Sequence, residues 1–226
     1  MLGTIVNAAA IIVGCVLGLI FKRFIKEKIS NTVFMGLALC TLYIGISGAI
    51  KSEDTLIIII SMIIGGALGE WIDIDSFISR LGSRLEKQFS KAGNKVSLAQ
   101  GFISASLLFC VGAMTILGSL QSGLSSKHEI LFAKSALDFV ASIIYSSTLG
   151  IGVGFSAVFV LVYQGTLTLM AQFLSPLLTD IVISDMNAVG SIIIIGLAFN
   201  MLKITKIKVA NFIPAIFIPI LIYIFI

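Results

Sequence analysis

Lys134 and Asp138 stand four residues apart in an otherwise apolar stretch, residues 129–149, and Ser142 and Ser146 follow at the same interval. Steps of four residues stack on one face of a helix. The stretch therefore predicts an ion pair that continues as a row of hydroxyls, with Ser147 beside it. Two chemistries fit this edge. In the first, the two charges neutralise each other and tie the helix to a neighbour. In the second, the edge faces water, and the carboxylate, hydroxyls and backbone carbonyls replace the hydration shell of a passing cation, since hard cations take oxygen ligands. Neutralising one pair does not require extra hydroxyls, which favours the second reading. Asp138 is then the candidate ligand for that cation, and Lys134 sets its field and gates the path by changing partner.

Just beyond this edge lie Gly150, Gly152 and Gly154, in a turn that carries no charge. Alternate glycines let the backbone bend and leave its carbonyls uncovered, as in the broken helices that hold ions in transporters. A tight helix–helix turn is the alternative. The spacing is not that of a dinucleotide fingerprint, and no strand precedes it. Tyr163, Gln164 and Gly165 follow in the next apolar run, and Asn7 and Asn200 place amides in two others. Such amides serve either as ligands or as hydrogen-bonding contacts between helices.

Enzymatic chemistry has little to stand on. The single histidine, His128, sits between Lys127 and Glu129. No HExxH or GxSxG motif occurs, and no pair of carboxylates lies at membrane depth. Cys15, Cys40 and Cys110 fall inside apolar runs without a CxxC spacing and read as small buried hydrophobes. No enzyme activity and no cofactor are expected.

The elements that must position these residues are set by composition. Hydrophobic residues make up 58% of the chain and charged residues only 12%, about half the charged share of a soluble domain. A mean hydropathy of +1.13 points the same way. The bilayer, not water, is the solvent, and the basic residues belong to membrane loops with no nucleic-acid groove. A helix needs about 20 apolar residues to cross. Eight runs qualify: 2–20, 31–50, 54–70, 98–122, 129–149, 152–173, 187–203 and 209–226. The first has no basic stretch ahead of it and reads as a retained helix, not a cleaved signal.

Basic residues alternate between loops. Lys22, Arg23, Lys26 and Lys28 follow the first run. Arg80, Arg84, Lys87, Lys91 and Lys95 follow the third. Lys203, Lys206 and Lys208 follow the seventh, and the loops between hold only Lys51 and Lys127. The positive-inside rule turns this asymmetry into a topology. It predicts a single all-α transmembrane domain, residues 1–226, of four hairpins closing on the cytoplasmic side of a bacterial inner membrane, with both termini outside. Within 71–97, Phe77, Ile78, Leu81, Leu85 and Phe89 alternate with basic residues as in an interfacial amphipathic helix. It reads as an anchor on the lipid headgroups, or as a docking surface for a partner.

Residues 1–50 and 55–122 look like parallel repeats. Gly14 and Gly18 echo Gly65 and Gly69, and Leu37, Cys40 and Gly48 match Leu107, Cys110 and Gly118 at the same spacing. Glycines four apart let helices approach closely and permit self-association into a homo-oligomer.

Several of these stretches carry a family resemblance. Residues 3–9 (GTIVNAA), 108–114 (LFCVGAM), 134–138 (KSALD), 150–153 (GIGV) and 163–165 (YQG) resemble the DUF554 family of bacterial integral membrane proteins. Phe139 replaces the glycine usual after the Leu–Asp pair. The resemblance implies a compact multi-span fold of unassigned function and tilts the choice of ion toward sodium. The expected function is a channel or transporter for a small monovalent cation. A secondary carrier of a small organic solute, or a sensor or assembly protein that transports nothing, is the alternative.

Overall fold

The computed structural model describes residues 1–22, 27–52, 54–80, 98–111 and 113–225. Every regular element among them is helical. Lipid offers no partners to backbone N–H and C=O groups, so a helix, which satisfies them internally, is the form a spanning segment takes. In chain order the helices are α1 (Leu2–Lys22), α2 (Glu27–Ala49), α3 (Thr55–Ile72), α4 (Leu98–Cys110) and α5 (Ala113–Ser125). They are followed by α6 (Glu129–Leu149), α7 (Gly152–Leu169), α8 (Asp180–Met201), a 3-10 segment (Val209–Phe217) and α9 (Ile218–Phe225).

The described chain has six helices long and apolar enough to cross a membrane, or seven when α4 and α5 count as one bent span. Three of the expected runs differ from what is observed. The run 98–122 is not one helix: α4 and α5 meet at 62°, and the Thr115 hydroxyl donates to the Phe109 carbonyl across the break at 3.1 Å. The seventh run begins at Asp180, because Thr179 caps the helix by accepting the Val182 N–H. The eighth is part 3-10 helix, with Pro214 inside it. Pro214 lacks the N–H an α-helix needs there. The wider rise of 3-10 geometry offsets the short length, and Val209–Phe225 reaches about 30 Å if straight. The helix of the expected interfacial segment continues over residues 74–80 after a turn at Asp73, with Phe77 exposed. Leu81, Arg84, Leu85, Lys87, Phe89, Lys91 and Lys95 lie outside the described residues.

Contacts group the chain into two compact units. The first comprises residues 1–34, 77–110 and 114–171, and the second comprises 35–76, 111–113 and 172–226. Each expected repeat is divided between them: α1 falls in the first unit and most of α2 in the second, α3 in the second and α4 in the first.

In the first unit, α1 turns small and polar residues inward. Gly3, Thr4, Asn7, Ala8, Ile11, Gly14, Cys15 and Gly18 are buried, whereas Ile5, Ile12, Val13 and Val16 are exposed. Apolar side chains gain nothing by leaving lipid, so close packing and hydrogen bonds decide which face turns in. Gly3 lies against Leu131, Asn7 meets Asp138, Gly14 lies on Ser142 and Gly18 on Ser146, so α1 and α6 run parallel. Thr4 meets Thr168, while Gly154 approaches Cys15, so α7 runs antiparallel to α1. Gly101 sits against Gly152, Phe102 against Phe159 and Gly123 against Thr168, so α4 and α5 run alongside α7 in its direction.

In the second unit, Gly65 and Gly69 of α3 press on the backbone at Ala215 and Asn211, making α3 antiparallel to the 3-10 segment. Gly45 and Gly48 of α2 lie on Ile195 and Ser191 of α8, again antiparallel. Both glycine pairs of the expected repeat are thus close-approach positions, one pair facing serine side chains and the other facing backbone.

Candidate functional site

The site in the first unit is built on α6. Lys134 and Asp138 are each only 6% exposed. The Lys134 ammonium lies 3.0 Å from Asp138 Oδ1 and 2.9 Å from Oδ2. From α1, Asn7 Nδ2 donates to Asp138 Oδ2 at 3.0 Å. The carboxylate is acceptor-only, so the Asn7 amide must turn its NH₂ toward Asp138, which directs Asn7 Oδ1 elsewhere. That oxygen is buried and has no hydrogen-bond partner among the described residues.

The serines that continue the edge are otherwise engaged. Ser142 Oγ donates to the Phe139 carbonyl at 2.9 Å, Ser146 Oγ to Ser142 O at 2.5 Å and Ser147 Oγ to Ile144 O at 2.7 Å. All three accepting carbonyls belong to α6 itself. Gly14 and Gly18 of α1 cover Ser142 and Ser146 so closely that a Cβ at either glycine would overlap the hydroxyl oxygen. This edge is a packing seam between α1 and α6.

The glycine run after α6 is a tight helix–helix turn. Gly150 has φ +80°, a conformation that L side chains rarely adopt, and its N–H bonds to Ser146 O at 2.9 Å. Gly152 admits the Leu98 carbonyl, and Gly154 faces the Cys15 sulfur. The irregular backbone lies elsewhere, at the α4–α5 break. Gly101 lies on the Leu149 carbonyl and Gly118 on Leu131, so α4 and α5 run antiparallel to α6, and Cys110, the last residue of α4, comes to about the level of Asp138. The break therefore falls at the depth of the ion pair.

Gln164 lies one turn before Thr168, whose hydroxyl meets that of Thr4, and so stands near the level of Asn7. It is 0% exposed, and both its amide atoms are without partners among the described residues. Two helices of one unit, α1 and α6, thus supply the side chains that touch the buried carboxylate.

The sequence match runs over nearly the whole of this arrangement: the family described as "Protein of unknown function (DUF554)" matches residues 2–224. The chain belongs to the DUF554 family. This DUF554 protein is 32% identical over 226 residues to the "Uncharacterized membrane protein YdfK" of Bacillus subtilis (strain 168), covering 97% of this chain and 94% of the relative. It is 27% identical over 219 residues to the "Uncharacterized protein YqgA" of Escherichia coli (strain K12), covering 96% and 93%. No solved structure matches.

Of the residues singled out from the sequence, this DUF554 protein brings Asn7, Lys134 and Asp138 into direct contact. Asn200 belongs to the second unit and is spent locally. Its Oδ1 accepts from Ile207 N at 2.9 Å and from Thr205 Oγ1 at 2.8 Å, and its Nδ2 donates to Ile207 O at 2.6 Å, which fastens the loop after α8.

Sequence reasoning missed three features. The break in the fourth span left no proline as a signal. Ser119 of α5 is 0% exposed with an unpartnered hydroxyl. It was indistinguishable in the sequence from the many other serines. Asp185, in the second unit, is 2% exposed and accepts from Ser52 Oγ at 2.6 Å and from Tyr223 OH at 3.0 Å. Placing residues 174–186 in a loop hid it; a helix starting at Asp180 puts it in the second turn.

Proposed function

We propose that this chain is a membrane transport protein for a small monovalent cation, with sodium the first ion to test and Asp138 its attracting charge. The observation that supports this reading is a buried carboxylate held by Asn7, whose amide oxygen, like both amide atoms of Gln164, has no partner among the described residues. An unpaired polar group in protein interiors costs about 1–3 kcal/mol, and interhelical contacts serve to avoid that cost. The free oxygens of Asn7 and Gln164 add no such contact, and a cargo would supply their partner. Lys134 balances the charge of the carboxylate when no cation is there. The centre is closed to solvent, which fits a carrier that opens it in turn to each side better than a standing pore.

The serines of α6 and the turn at Gly150, Gly152 and Gly154 shape the helix packing around the site in this reading, and Asn200 stabilises a loop. The charge asymmetry of the loops supports insertion in a bacterial inner membrane with both termini outside. No enzymatic step is assigned. A carrier of a small organic solute is the second reading, favoured by the net neutrality of the Lys134–Asp138 pair and by the presence of donors as well as acceptors around it.

Sodium uptake into proteoliposomes decides between them. Wild-type protein should move sodium and Asp138→Asn should not. Equal flux in the two would remove Asp138 from the mechanism, and saturable counterflow of an organic solute without sodium movement would select the second reading.

A further inference from the structure

We propose that the groove between α3 and the 3-10 segment binds a zwitterionic phospholipid with a primary ammonium headgroup. The acyl chain lies in the groove, and the headgroup sits at Glu70, Asp73 and Lys208.

The groove has a volume of about 490 Å³, and its walls are Met62, Ile63, Gly66 and Ala67 of α3 and Phe212 of the 3-10 segment. The α3 residues recur at three- and four-residue intervals, so they form one strip along the helix. Gly65 and Gly69 bring the two elements together backbone to backbone, and the Phe212 ring lies on Gly66 beside that seam. Between Met62 and Glu70 the strip covers about 12 Å of helix. Glu70, Lys208 and Asn211 close its far end, and the neighbouring Trp71 is 85% exposed. Tryptophan favours the membrane–water interface. The groove therefore leads from the headgroup level into the hydrocarbon.

In lipid, apolar walls select little, because any acyl chain packs against them. The polar end does the selecting. Three carboxylates, Glu70, Asp73 and Asp75, act on one cation, Lys208. Acid outnumbers base, so a purely anionic headgroup is repelled, and one that also carries a cation is attracted. The Lys208 ammonium lies 2.5 Å from Glu70 Oε1 and 3.9 Å from Asp73 Oδ1, the second beyond hydrogen-bond reach. Of its three N–H groups one is used, and a phosphate oxygen accepts from another. Asp73 Oδ1 is shielded from solvent and has no hydrogen-bond partner among the described residues. A primary ammonium brings N–H donors to that oxygen, whereas a choline group has none. Phosphate on Lys208 and ammonium on Asp73 and Glu70 thus match both charges of one headgroup.

Trp71 is the one tryptophan of the chain and reports on the site. Full-length protein is reconstituted in phosphatidylcholine vesicles with an increasing fraction of one lipid whose acyl chains are brominated. Brominated phosphatidylethanolamine should half-quench Trp71 at a mole fraction about tenfold lower than brominated phosphatidylcholine or phosphatidylglycerol, a preference of about 1.4 kcal/mol. Ala67→Phe fills the groove from an exposed position. Asp73→Asn removes the charge at a residue with φ 57°, a conformation asparagine tolerates. Each variant should bring the three lipids close to parity. Equal quenching by all three in the wild type means ordinary boundary lipid and overturns the proposal. A tenfold preference that survives either variant places recognition elsewhere and overturns it too. Trp71 that no brominated lipid quenches would mean that protein, such as a second copy of this chain, covers the groove instead.

Discussion

Asn7 and Asp138 are separated by 131 positions in the chain, yet Asn7 Nδ2 donates to Asp138 Oδ2 at 3.0 Å. This bond joins two parallel helices at a carboxylate that Lys134 of the same helix also holds. Its consequence is that Asp138 has a charged partner from its own helix and a neutral one from α1, so charge and packing can be perturbed separately.

Removing one member of the ion pair strands the other. Lys134→Met or Asp138→Asn alone should destabilise the folded protein by about 3–5 kcal/mol, the usual cost of an uncompensated buried charge. The double variant should recover most of that stability. Thermal unfolding in detergent reads the stability, and sodium uptake reads the function. A double variant that folds well but still moves sodium would show the pair to be purely structural.

The seam between α1 and α6 should tolerate loss of hydroxyls but not gain of bulk. Ser142→Ala and Ser146→Ala remove groups bonded to their own helix and should each change stability by under about 1 kcal/mol. Gly14→Ala and Gly18→Ala force a methyl into Ser142 and Ser146 and should cost about 1–3 kcal/mol by overpacking. Pairing Gly14→Ala with Ser142→Gly should recover only part of that loss, because the Phe139 carbonyl also lies in the way. Full recovery, read by unfolding temperature, would mean that the hydroxyl alone sets the approach.

Asp185 fastens the second unit through two hydroxyls from separate segments, Ser52 and Tyr223. Asp185→Ala leaves both without their acceptor and should cost about 1–3 kcal/mol. Asp185→Asn keeps one carbonyl oxygen and should cost less. Equal stability of the two variants under the same unfolding assay would contradict this role.

A pH dependence follows from Asp75, whose half-buried carboxyl lies just past the end of α3. Burial raises its pKa above the ordinary aspartate value, and the nearby Lys208 opposes that rise. A carboxyl with a raised folded-state pKa favours the folded state most at low pH, and that advantage is lost as pH climbs from the unfolded value, about 3.9, through the folded one. Asp75→Asn should therefore be more stable than wild type at neutral pH, with the difference closing in acid below that range. A difference that persists unchanged into acid would assign it to something other than charge burial.

Two things were legible in the sequence by itself. Membrane residence follows from composition and from the length of the apolar runs. The Lys134–Asp138 pair follows from a four-residue step on one helix. Both rest on short-range physics that each segment obeys wherever it is placed. The partners across helices did not follow. Spans that are apolar all round look alike in sequence, and in lipid no hydrophobic driving force sorts their faces. Close approach at Gly14 and Gly18 decided that the serine edge of α6 would be a seam. The direction in which α1 and α7 run decided that Gln164 would stand near the level of Asn7. Register between helices is a property of assembled shape, and only the tertiary structure fixes it.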